Sequence, residues 1–118
     1  ELDVDSMERA AAFLTGTWDF KSFSGNKKMK KSTVRTISRI QIKELPGEIQ
    51  IYYTGNGFLQ NMVRILTGTL IEIGDGRRTP EDVSEILEAK NRERAGYTAP
   101  ACGLTLLEVI YGKMVCNK

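Results

Sequence analysis

The chain has 118 residues, of which 41% are hydrophobic and 27% charged, and its formal net charge is +2. That suffices for one compact domain with a modest core. A membrane span is excluded, because the most apolar stretch, residues 58–73, contains Gln60, Asn61, Arg64 and Glu72 and falls short of the ~20 residues that cross a bilayer.

There is no histidine, and Cys102 and Cys116 form no CxxC pair. Zinc sets and nucleophiles served by an imidazole base are thereby ruled out, and no metal site is expected. Two free thiols fit a reducing cytoplasm. The chain starts at Glu1 without a basic head or an apolar h-region, so no signal peptide is expected, and the missing Met suggests a fragment or a processed chain.

Asp5-Ser-Met-Glu8 offers a cap followed three residues later by a carboxylate. Met7, Ala10, Ala11 and Leu14 then recur at helical spacing, which predicts a helix over Ser6–Leu14 ending near Gly16. Trp18 to Phe23 reads as a compact aromatic turn, and Ser24-Gly25-Asn26 with the lysines that follow as a loop. Thr33–Leu45 and Glu48–Thr54 read as strands joined at Pro46-Gly47 in an antiparallel hairpin. In the first strand Val34, Thr36, Ser38, Ile40 and Ile42 share one parity. Arg35, Arg39, Gln41 and Lys43 share the other, which predicts a basic sheet face.

Phe58, Met62, Ile65, Leu66, Thr69, Leu70 and Ile73 trace one helical face, ended by Gly74-Asp75-Gly76. Leu59, Val63 and Ile71 add apolar surface elsewhere, so this helix is expected to be buried on more than one side. Thr79-Pro80-Glu81-Asp82 opens a further helix that continues to about Lys90. Residues 91–103 read as a loop. Leu104 to Tyr111 has few polar positions and reads as one central strand covered on both faces. The expected fold class is α+β, a mainly antiparallel sheet with helices packed against it.

Charge is unevenly spread. Residues 21–43 hold eight basic residues and no acidic one, whereas the remainder holds 9 basic and 15 acidic residues, a net of −6. A local strip that faces a polyanion is the functional reading, and a solvated loop is the plain one.

Three segments carry a more specific signal. They are Gly16-Thr-Trp-Asp-Phe-Lys-Ser-Phe23, the block from Gly57-Phe-Leu-Gln-Asn-Met-Val-Arg64 to Gly74, and Ala89 to Leu104 with its Thr-Ala-Pro-Ala core. In order and spacing they resemble the C-terminal domain of TruA-type tRNA pseudouridine synthases, over nearly the whole chain. The resemblance implies the C-terminal half of the pseudouridine synthase fold. It also implies isomerisation of uridine to pseudouridine in the anticodon stem-loop of tRNA, without metal or organic cofactor. In that family the base is detached from its ribose, turned, and rejoined through carbon. The implied partners are tRNA and a second copy in a homodimer, with no membrane, in the cytoplasm.

The family's essential aspartate lies in an Arg-Thr-Asp motif of the N-terminal half. The nearest string here is Arg35-Thr36-Ile37, which has no carboxylate and lies in the wrong segment. Arg64 matches the arginine that pairs with that aspartate. By helical geometry it lies about 120° around from Phe58, away from the core stripe, with Asn61 and Gly68 beside it. Gly68 leaves room for a chain segment or a base, so it is a pocket candidate together with Leu104. The implied RNA contacts are Lys30, Lys31, Arg35, Arg39 and Arg92. Trp18 stands where the family usually has histidine, and Gln60 and Asn61 replace residues that are often basic or histidine. Asp19 reads better as a turn carboxylate than as a nucleophile. Two other readings remain open: a free-standing RNA-binding module without activity, and a pure dimerisation domain.

Overall fold

The computed structural model of the chain describes residues 1–101, 104–108 and 111–117, the last two stretches by their backbone. Its architecture is α+β. Helix α1 (Val4–Leu14) leads into strand β1 (Gly16–Asp19) and the hairpin β2 (Val34–Leu45) and β3 (Glu48–Gly55). Helices α2 (Met62–Gly74) and α3 (Asp82–Ala89) follow, and β4 (Leu104–Glu108) and β5 (Tyr111–Asn117) close the chain. The five strands form one sheet in the order β1-β2-β3-β5-β4, antiparallel throughout.

The hairpin stands as its sequence predicts. Leu45 pairs with Glu48 across Pro46-Gly47, and Gly47 takes a φ of +79°, the left-handed position that a Pro-Gly turn supplies without steric cost. Strict alternation along β3 buries Ile49, Ile51 and Tyr53 against the helices. Met7 and Leu14 of α1, Ile65, Leu66 and Leu70 of α2, and Val83, Ile86 and Leu87 of α3 complete the same cluster.

Strand β2 departs from the expected alternation. A register shift between Ile37 and Arg39 inserts a bulge. Before it, Ile37 is fully buried and Arg35 shares its parity; after it, Ile40 and Ile42 turn to the core and Arg39, Gln41 and Lys43 to the other face. Arg35 and Arg39 therefore lie on opposite faces of the sheet, and the single basic face expected from sequence does not form.

Four element boundaries also differ. Helix α1 begins at Val4, because the carboxylate of Asp3, not Asp5, accepts from the Ser6 amide at 3.2 Å and hydroxyl at 2.9 Å. Gly16–Asp19 forms a strand on β2 that takes in Trp18 and Asp19, so the start of the expected Trp18–Phe23 turn is strand instead, since four residues are too few to display alternation. Helix α2 begins at Met62 rather than Phe58, because Asn61 holds a left-handed φ of 59° that no helix interior admits. The apolar run after Gly103 is split between β4 and β5, with Glu108 paired to Tyr111, and β4 is an edge strand of this sheet, not a central one. An unbroken apolar run carries no mark of where a chain reverses.

A fifth boundary differs: helix α3 begins at Asp82, with Glu81 as its cap, rather than at Pro80. The turn before it closes with shorter-range bonds, from the Asp82 amide to the Thr79 carbonyl and from the Val83 amide to the Pro80 carbonyl. The Asp82 carboxylate nevertheless accepts from the Thr79 amide at 2.9 Å, as the capping pattern implies. The far end of α3 is held by a buried hydroxyl. Ser22, in the 3-10 turn Lys21–Phe23, donates to the Ile86 carbonyl at 2.6 Å and accepts from the Asn91 amide at 2.8 Å. Ser22→Ala would leave both backbone groups without that partner. We expect it to lower stability by roughly 1–3 kcal/mol in urea denaturation, and an unchanged midpoint would contradict this role of the hydroxyl.

Candidate functional site

Arg64 lies in the first turn of α2, half-buried. Its Nε donates to the Ala99 carbonyl at 2.7 Å, and the Ala99 amide donates back to the Arg64 carbonyl at 3.0 Å. The guanidinium is thus fixed along its inner edge by its own chain. Among the described residues its outer Nη1 reaches only the Asn61 carboxamide oxygen, at 3.4 Å. Among the described residues the ion pairs join Arg9 to Glu81, Arg77 to Glu72 and Asp75, Arg78 to Glu72, and Arg94 to Glu85; none involves Arg64. A planar, permanently charged group with its Nη end free of carboxylate suits an incoming carboxylate or phosphate.

What holds Arg64 is the extended segment 95–99, laid along α2. The space above Gly68 is filled by this segment. A methyl group on Gly68 would overlap the Tyr97 carbonyl oxygen, and one on Gly96 would come within 2.7 Å of the Thr69 Cα. The Gly96 amide donates to the Thr69 hydroxyl at 2.8 Å, and that hydroxyl donates to the Ile65 carbonyl at 2.9 Å. Glu72 binds Arg78 at 2.7 Å and accepts from the Tyr97 amide at 3.3 Å, while Arg78 donates to the carbonyls of Arg94 and Ala95. None of the Glu72–Arg78 clamp is visible in the sequence pattern.

Beside Arg64 stands the basic loop. The Gly25 amide donates to the Gln60 carbonyl at 2.8 Å, so the segment carrying Lys27 to Lys31 is tied to the residues that precede α2. Lys30 and Lys31 are exposed on it. Arg35 is half-buried against Gly57, and its Nη1 is occupied by the carbonyls of Ser32 and Val34 at 2.8 and 2.7 Å. Arg39 is exposed on the opposite sheet face, where Lys43 stacks over Tyr52 at 5.0 Å. Arg92, in the turn Arg92–Arg94, donates to the Thr98 hydroxyl at 3.1 Å, one residue from the anchor of Arg64. Burial pushes the Arg92 guanidinium below its ordinary pKa. Asp19 accepts from the Lys21 amide at 3.0 Å and the Thr33 hydroxyl at 2.5 Å, a turn carboxylate as expected. The side chain of Leu104 lies outside the described residues.

A groove of about 600 Å³ opens elsewhere, between α1, β1 and α3. Its lining includes Phe13, Trp18 and Val34 and none of the residues around Arg64. Among the described residues no three His, Cys, Asp or Glu side chains converge, and no helix is long and apolar enough to cross a membrane.

We expect Gly68→Ala to destabilise the fold toward the upper end of the roughly 1–3 kcal/mol typical of overpacked sites, because the new methyl meets backbone. Thermal denaturation checks this, and an unshifted midpoint would mean that segment 95–99 does not lie on α2.

Comparison with known proteins places these features in context. Residues 10–112 match the family model described as tRNA pseudouridine synthase. The chain is 49% identical over 110 residues to tRNA pseudouridine synthase A of Brevibacillus brevis and 51% identical over 111 residues to tRNA pseudouridine synthase A 2 of Clostridium tetani. It is 49% identical over 113 residues to tRNA pseudouridine synthase A of Limosilactobacillus reuteri. These alignments cover 93%, 94% and 94% of this chain, but only 45%, 45% and 44% of the relatives. The chain thus spans a little under half the length of the curated relatives it matches.

Proposed function

Because the chain belongs to the tRNA pseudouridine synthase family, we propose that it is the C-terminal half of an enzyme that isomerises uridine to pseudouridine in the anticodon stem-loop of tRNA. The reaction exchanges a carbon–nitrogen glycosidic bond for a carbon–carbon one with no net gain or loss of atoms or electrons. It needs a positioned carboxylate and a bound nucleotide rather than a redox cofactor. The carboxylate comes from the other half of the protein, and Arg64 receives it.

The observation that carries this reading is the asymmetry of Arg64. Its inner edge is spent on Ala99, so its outer nitrogens are held in one orientation before any partner arrives. An arginine beside a carboxylate keeps it ionised and aims it through parallel hydrogen bonds. A lysine cannot do both, because its charge is a point on a flexible stem. Cytoplasmic location and a homodimer belong to the same reading, as does the use of the basic loop on tRNA phosphates.

In the complete enzyme, Arg64→Lys is expected to lower kcat by roughly 10²–10³-fold, the scale seen when one positioned electrostatic contact to a reacting centre is lost. Pseudouridine formed in an anticodon stem-loop substrate measures it. Near-normal turnover would remove Arg64 from the reaction. Tight tRNA binding by the wild-type protein with no pseudouridine formed would favour an RNA-binding module instead.

A further inference from the structure

A second feature near Arg64 combines four cations with a built cavity. A cleft of about 180 Å³ lies between the loop after β1 and the α3–Arg92 connection. It is lined by Lys21, Lys27, Lys90 and Arg92 together with Ser24, Asn26 and Asn91, and among the described residues no carboxylate lines it. Only Arg92 of these cations was singled out by family resemblance. Lys90 is an isolated lysine in the sequence and reaches the cleft because it ends α3 in a left-handed conformation, φ 49°.

Both walls are fixed by their own hydrogen bonds. Ser22 fastens the turn that carries Lys21 to the connection that carries Lys90 and Asn91. On the loop side, the Ser24 hydroxyl accepts from the Asn26 amide at 3.1 Å, and the Asn26 carboxamide accepts from the Lys28 amide at 3.0 Å. On the other side, the Asn91 carboxamide accepts from the Glu93 amide at 3.0 Å. Arg92 is half-buried, has no carboxylate partner among the described residues, and bonds only a neutral hydroxyl. The end of α3 brings a partial negative charge of about half an elementary charge, which four full positive charges outweigh.

We propose that this cleft seats a backbone phosphate of the RNA next to the nucleotide presented to Arg64. The inference rests on the reading of the chain as part of a tRNA-modifying enzyme and names where that RNA is gripped. Two short links join the cleft to Arg64. One wall continues from Gly25 to Gln60 and Asn61, and the other from Arg92 through Thr98 to Ala99. A phosphate held here fixes the strand on which the target base sits, while reading no sequence itself.

The test uses the complete protein, a fluorescent anticodon stem-loop, and the variants Lys27→Ala, Lys90→Ala, their double, and Lys90→Arg. Affinity is measured across a salt series. The double variant should bind about tenfold more weakly at moderate salt, with the slope of log affinity against log salt reduced in magnitude by about 1, and the loss should be equal for stem-loops of different sequence. Lys90→Arg should restore most of the affinity. An unchanged slope and affinity in the double variant would overturn the proposal. So would a loss confined to binding of inorganic pyrophosphate, which would mark a small-anion site only. Pseudouridine formation by the wild-type protein is scored separately, so failure of the isomerase reading is distinguishable from failure of this one.

Discussion

The arrangement depends on the close apposition of segment 95–99 to helix α2. Two glycines make it possible, Gly68 on the helix and Gly96 on the segment, because a side chain at either would strike backbone. Once the segment lies there, its Gly96 and Tyr97 amides donate to Thr69 and Glu72, and its Ala95 and Ala99 carbonyls accept from Arg78 and Arg64. A buried backbone without such partners would be costly. The same contact orients Arg64, so packing and the candidate chemistry have one cause.

Charge is organised around that anchor, not spread along the sheet. The bulge in β2 sends Arg35 and Arg39 to opposite faces, and Arg35 spends one guanidinium nitrogen on nearby carbonyls. The cations that converge are Lys21, Lys27, Lys90 and Arg92, drawn from segments about 70 residues apart in sequence and stitched together by Ser22. With the rest of the chain net negative, a polyanion is repelled broadly and attracted locally, which favours one docking orientation.

Much of the fold was legible where local chemistry decides structure. Pro46-Gly47 marked the hairpin, the repeat from Met62 to Ile73 marked the buried helix, and Val83, Ile86 and Leu87 marked α3, which starts at Asp82 rather than at Pro80. The failures share a different cause. β1 exists because β2 offers an edge, the bulge near Ser38 has no composition signal, and the left-handed Asn61 cuts short a helical pattern that continues through Phe58. Arg64 was legible only through its motif, since by periodicity it is an ordinary exposed helix arginine. Its partner Ala99 lies 35 residues away, beyond any local rule. Lys90 was missed for the same reason.

The pairing of Arg64 with a carboxylate from the rest of the protein is tested most directly by the pH dependence of kcat/KM. The comparison is between the complete wild-type enzyme and Arg64→Gln. A neighbouring guanidinium depresses a carboxylate pKa by about 1–3 units, and the reactive form is the ionised one. Removing the positive charge should therefore move the acid limb to higher pH by that amount, beyond any loss of rate. An acid limb that stays in place would contradict the pairing.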